Sequence, residues 1–151
     1  MKRTYVFLAV ALASAASAAT VASAQTSPPA AHSSAAATVQ LRHTSLGSIL
    51  VNSSGRTLYE FTRDRAGKSS CTATSGCSEV WPSLRTNGHP KAGSGIKASL
   101  LSTTSGKQVT YAGHPLYTYS GDSGPGKTSY VGVKQFGGTW YAIKASGGAV
   151  K

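Results

Sequence analysis

The sequence predicts a mainly β protein: a small single domain in which two β-hairpin-containing repeats, related by a pseudo-two-fold axis, share one core. Three observations lead there. Residues 51–64 recur as residues 109–122, with Val51/Val109, Gly55/Gly113, Leu58/Leu116, Tyr59/Tyr117, Phe61/Tyr119 and Asp64/Asp122 each 58 positions apart. Apolar residues in both copies fall at alternate positions, the two-residue period of a strand. Glycine-containing turns then separate these short runs, as hairpins require. A long period present only twice suits two halves that complete one another, because a solenoid needs more units.

Taken in order, residues 1–24 read as an export signal. Lys2 and Arg3 precede an apolar stretch from Tyr5 to Leu12, and Ala22-Ser23-Ala24 offers a small-residue cleavage site. The apolar stretch is well short of the ~20 residues that a spanning helix needs, so no transmembrane segment is expected. Neither cysteine lies at the cleavage site, which leaves no acceptor for a lipid there. The expected product is soluble, and periplasmic or extracellular. Residues 25–38 hold Pro28 and Pro29 among Ala, Ser and Thr, with too few large apolar side chains to pack, and read as a disordered linker. The folded domain is expected over 39–147, with repeat one at about 45–84 and repeat two at about 103–143.

Within that domain, Ser48 to Val51 reads as a strand, Asn52 to Gly55 as a turn, and Thr57 to Phe61 as the returning strand. The second copy matches it with Gln108 to Tyr111, a turn over Ala112 to Pro115, and Leu116 to Tyr119. Gly55 and Gly113 fall where a hairpin loop calls for positive φ. Gly137-Gly138, between Val133–Phe136 and Thr139–Ile143, marks a third hairpin. Ile96 to Leu101 fits a short helix as well as a strand.

The candidate functional residues are the repeated ones: Tyr59, Phe61, Asp64 and Trp81 in the first copy, and Tyr117, Tyr119, Asp122 and Trp140 in the second. They serve either as scaffold or as a ligand surface. An Asp that follows a strand most often accepts backbone amides within its own loop, which is the expectation for both. The competing reading brings the two carboxylates together across the axis, on a cation or a sugar. Tyr and Trp supply much of the buried area in a small β domain. Cys71 and Cys77 occur in the first copy alone; in an exported chain they are expected to form a structural disulfide ahead of Trp81. The spacing is not the C-x-x-C of a redox site. His32, His43, His89 and His114 share no metal-ligand spacing, so neither a metal nor a cofactor is expected.

Two strings imitate well-known sites. Gly121 to Thr128 fits the phosphate-loop pattern, yet that loop works only between a buried strand and a helix, and Tyr130-Val131-Gly132-Val133 reads as strand. Gly121-Asp122-Ser123-Gly124 resembles a serine-protease nucleophile loop without a base oriented by a third group. Both are simpler as a turn after a strand.

The chain carries a formal net charge of +11. Without Lys2 and Arg3, 13 basic residues face Glu60, Asp64, Glu79 and Asp122, a net +9. The positive residues are scattered, and such a charge either serves solubility alone or gives weak, salt-sensitive attraction to anionic envelope polymers, without specific nucleic-acid recognition. Four acids and no nucleophile–base pair argue against an enzyme.

Together, Leu58 to Asp64 followed by Cys71, Cys77 and Trp81-Pro82, and Gln108 to Asp122 followed by Gly137-Gly138-Thr139-Trp140-Tyr141, resemble the bacterial secreted-repeat family of predicted lipoproteins. A tandem Tyr-x-aromatic-x-x-Asp motif defines that family, and the likeness covers about residues 45–145. The resemblance implies an envelope or secreted bacterial protein whose chemistry is not established. The absent lipobox cysteine departs from it. The reading that results is an exported, non-catalytic binding or structural module for an envelope component. The alternative is a metal- or redox-linked periplasmic accessory protein drawing Tyr, His and Asp from both repeats.

Overall fold

In the computed structural model, which describes residues 36–151, Val39 and Leu41 alternate with Gln40 and Arg42 along the first strand, β1 (Thr38–Thr44). The expected signal peptide, and the expected linker up to residue 35, lie outside the described residues. The linker expectation runs too far at its other end. Ala37 N–H donates to Thr86 Oγ1 at 2.9 Å, and β1 begins at residue 38. This strand was not anticipated despite its alternation. It pairs antiparallel with β2 (Gly47–Asn52), from Val39 opposite Asn52 to Thr44 opposite Gly47. Thr44 closes the turn, its hydroxyl donating to Gly47 O and accepting from Leu46 N–H.

β3 (Tyr59–Phe61) leads through a single 3₁₀ turn (Cys71–Ala73) and a short helix, α1 (Cys77–Val80), to β4 (Lys91–Ala92). The ambiguous stretch resolves into a 3₁₀ turn at Ala98–Leu100 followed by β5 (Leu101–Thr103). Then come β6 (Val109–Tyr111), β7 (His114–Pro115), β8 (Val133–Gln135) and β9 (Gly138–Ala142). Among the described residues they form three sheets, in the orders β2-β1-β4, β3-β9-β8 and β5-β6-β7. Only β1 and β4 run parallel. The domain closes later than residue 147, since Ile143 bridges Ala149 and Val150 is buried. Gly55, Gly113 and Gly137 all take positive φ, at 76°, 82° and 78°. The third turn is Phe136-Gly137, one residue earlier than expected, because Gln135 pairs with Gly138 and leaves those two as the tip.

Each repeat pairs with the other one. β3 of repeat one lies against β9 of repeat two, placing Tyr59 opposite Ala142 and Phe61 opposite Trp140. The matching segment of repeat two lies against residues 80–84 of repeat one: Tyr117 bridges Ser83, and Thr118 N–H donates to Pro82 O. Leu50 N–H donates to Ile143 O, and Val109 N–H donates to Leu84 O. These bonds correct one expected match. Val109 corresponds to Leu50, not Val51: Leu58 N–H reaches Leu50 O as Leu116 N–H reaches Val109 O. The loop after β2 is one residue longer than its counterpart, which places the extra residue before the glycine. Asn52 stabilises that longer loop, its side-chain oxygen accepting from Ser54 and Arg56 N–H, both at 3.0 Å.

The interior is shared between the copies. One cluster is largely aliphatic and joins Leu50 and Leu58 to Val109, Leu116 and Ile143. A second is aromatic and joins Tyr59, Phe61 and Trp81 to Tyr117 and Trp140 around the Cys71–Cys77 disulfide. A two-stranded unit cannot bury one face alone, so each copy completes the other's core.

Candidate functional site

Asp64 and Asp122 each end a tight turn, with Asp64 N–H donating to Phe61 O and Asp122 N–H donating to Tyr119 O. From there the side chains cross between repeats. Tyr59 donates its hydroxyl to Asp122 Oδ2 at 2.9 Å, and Tyr117 donates to Asp64 Oδ2 at 2.7 Å. The spacing of five residues from Tyr to Asp thus serves the partner copy. Asp64 meets the capping expectation as well, since its Oδ1 accepts both the N–H and the hydroxyl of Ser70, each at 2.7 Å. Asp122 does not. It is 3% exposed, and its Oδ1 is buried without a hydrogen-bond partner. Its own loop supplies no donor equivalent to Ser70: Thr128 stands six residues on and makes no hydrogen bond to Asp122.

Burial pushes the Tyr59 hydroxyl far above the usual phenol range, with the Asp122 carboxylate adding to it. Burial does the same at Tyr117, and its bond to Asp64 acts in the same direction. Both phenols stay protonated and act as donors.

The rings repeat the same symmetry. Trp81 and Trp140 stack across the axis with centroids 3.7 Å apart and planes 1° from parallel. Phe61 stacks on the outer face of Trp140 at 4.1 Å, and Tyr119 packs on Trp81 at 4.8 Å. Tyr59 and Tyr117 meet Trp81 and Trp140 edge-on, each at 5.2 Å. All eight repeated residues therefore enter one array.

A family described as a secreted repeat of unknown function (Lipoprotein_15) matches this chain twice, over residues 41–85 and 99–144. The chain belongs to that family. The two matches enclose both Tyr–Asp motifs and both Trp residues, so each match covers one of the two halves that pair in this chain. No curated protein and no solved structure matches the chain. Among the described residues, no helix is long and apolar enough to cross a membrane.

Outside the array, the secreted-repeat fold leaves an open groove of about 870 Å³ between residues 66–72 of repeat one and 99–113 of repeat two. Hydroxyls of Ser69, Thr72, Ser102 and Thr104 line it together with Lys68 and Arg85. No carboxylate lines it, and none of the eight repeated residues does. Sequence reasoning missed this site. The available signal was the run from Ser99 to Ser105, rich in Ser and Thr and free of acids.

Three of the four acidic residues, Glu60, Asp64 and Asp122, have structural partners elsewhere. Glu60 sits on the opposite face of β3, 7% exposed, with Oε2 3.1 Å from His114 Nδ1, close but outside hydrogen-bond geometry. Burial raises its pKa against the pull of His114 and Lys151. This contact, an ion pair only when His114 is protonated, is the one close approach of a carboxylate to a basic side chain among the described residues, so no Lys or Arg there has a carboxylate partner. Arg56 spends its guanidinium on the carbonyls of Tyr119 and Asp122, and Arg63 on that of Phe136. No three His, Cys, Asp or Glu side chains among the described residues come together as a metal-binding group.

Proposed function

We propose that this secreted repeat is an exported, non-catalytic module that holds an anionic polymer of the cell envelope, after removal of a signal at residues 1–24. The observation that carries the reading is the unpaired positive charge. Thirteen Lys and Arg side chains among the described residues have no carboxylate partner. Three of the four acids are engaged by His114, Tyr117 and Tyr59. A field left unneutralised by the protein is available to phosphate- or carboxylate-bearing chains. The groove is their seat: Lys68 and Arg85 supply charge, and the hydroxyls supply donors for anionic oxygens.

Co-sedimentation with teichoic acid, against neutral dextran and across a salt series, tests the proposal. Binding should be confined to the anionic polymer, weaken as salt rises, and fall in the Lys68→Gln/Arg85→Gln double variant. Equal retention of dextran, or retention indifferent to salt, would overturn it.

A further inference from the structure

The aromatic array offers a continuous path for electrons from the surface to two buried phenols. Tyr130 and Tyr119 are partly exposed and lie 4.4 Å apart, and both contact Trp81. Trp81 is stacked on Trp140, and the fully buried Tyr59 and Tyr117 touch this pair edge-on. Stacked and edge-on ring pairs also stabilise a core beyond their buried area.

The hydrogen bonds give the path an end. Trp81 Nε1 donates to Gln135 Oε1, an amide oxygen, and Trp140 Nε1 is buried with no partner. Neither indole N–H faces a base, so an oxidised tryptophan here has nowhere to pass its proton. Tyr59 and Tyr117 do face bases, the carboxylates of Asp122 and Asp64, within proton-transfer distance. Asp64 shares its lone pairs among three side-chain and backbone donors, whereas the Asp122 carboxylate takes only Tyr59.

We infer that the array is a hole relay that draws one-electron oxidation from surface radicals to Tyr59. The balance is simple. A surface one-electron oxidant takes one electron through Tyr119 or Tyr130 and Trp81. Tyr59 supplies that electron, and its phenolic proton moves to Asp122, leaving a neutral tyrosyl radical bonded to a carboxylic acid. A one-electron donor such as ascorbate reverses both transfers. No heavy-atom bond forms or breaks, and the exported protein is spared indole and backbone damage.

The test is flash oxidation of the full exported chain with photogenerated ruthenium(III) tris(bipyridine), read by transient absorption and electron paramagnetic resonance. The parent should show a tyrosyl radical whose formation slows after complete exchange into D₂O. Its yield should fall in Tyr59→Phe, fall further in Tyr59→Phe/Tyr117→Phe to what the surface tyrosines alone give, and fall in Asp122→Asn, with near-ultraviolet circular dichroism confirming the intact array. An indole radical cation that never converts would overturn the inference. So would a tyrosyl yield unchanged in these variants. Should a variant fail to fold, the parent decides: formation indifferent to D₂O overturns the relay.

Discussion

Tyr59 and Tyr117 exchange both of their backbone hydrogen bonds, the N–H of each meeting the carbonyl of the other at 2.9 and 3.0 Å. Residues in equivalent positions of the two repeats are thus direct partners, and the pseudo-two-fold axis passes between them.

The two halves should therefore be inseparable. Fragments 36–97 and 98–151, made separately, each lack the strands that cover their aromatic residues. Neither should fold alone, and mixing them should restore the near-ultraviolet circular dichroism of the whole. A cooperative thermal transition in either isolated fragment would contradict the swapped pairing.

The repeated aspartates should behave unequally. Asp64→Ala leaves both Ser70 donors without their acceptor and Tyr117 with Ser69 Oγ alone, an expected loss of about 2–3 kcal/mol. Asp122→Asn keeps an acceptor for Tyr59 and removes a poorly satisfied buried charge, so stability should change by less than about 1 kcal/mol or improve. Denaturant titration of both variants measures this. Equal losses would mean that the turns around the two residues are energetically alike.

Much of this was legible in the sequence. The 58-residue offset located Tyr59, Asp64, Tyr117 and Asp122, and Gly55 and Gly113 marked real turns. The family resemblance and the mainly β architecture hold as expected. What sequence order could not convey was which copy each side chain serves. A motif repeated in tandem reads as two self-contained units, yet five residues of spacing aim each Tyr at the other copy's Asp. The Leu50/Val109 register escaped notice because Val51 is itself buried and apolar. The groove escaped because Ser and Thr carry no periodic signal.

Glu60 should make stability fall as pH rises through its raised pKa. The unfolded carboxyl titrates near 4.5, whereas burial holds the folded one higher despite His114 and Lys151. The protonated form therefore favours the fold, fully below 4.5 and progressively less as pH climbs through the folded value. Glu60→Gln retains a neutral side chain, so its advantage in Tm over the parent should widen across that interval and then level off. Parallel profiles would rule out Glu60 as the group responsible.

Gly138 and Gly113 should differ for separate reasons. A β-carbon at Gly138 would lie 2.5 Å from Phe61 Cε2 and 2.9 Å from Arg63 Cγ, and Phe61 is held against Trp140. Gly138→Ala should lose about 2–3 kcal/mol through this clash. At Gly113 a β-carbon meets nothing within 4 Å, and only its positive φ resists. Gly113→Ala should lose about 1–2 kcal/mol. Thermal unfolding of the two variants checks the order.

The Tyr59–Tyr117 exchange also bears on ancestry. A residue that pairs with its own equivalent marks an isologous contact, the kind that joins two identical chains into a closed dimer. A gene encoding one such unit would give a product whose rings and carboxylates are completed by a second molecule of itself. Duplication and fusion would convert that encounter into an intramolecular one, independent of concentration. It would also release the halves from having to match, and the divergence is visible. One half carries Cys71 and Cys77, and the other has no cysteine between Asp122 and Trp140.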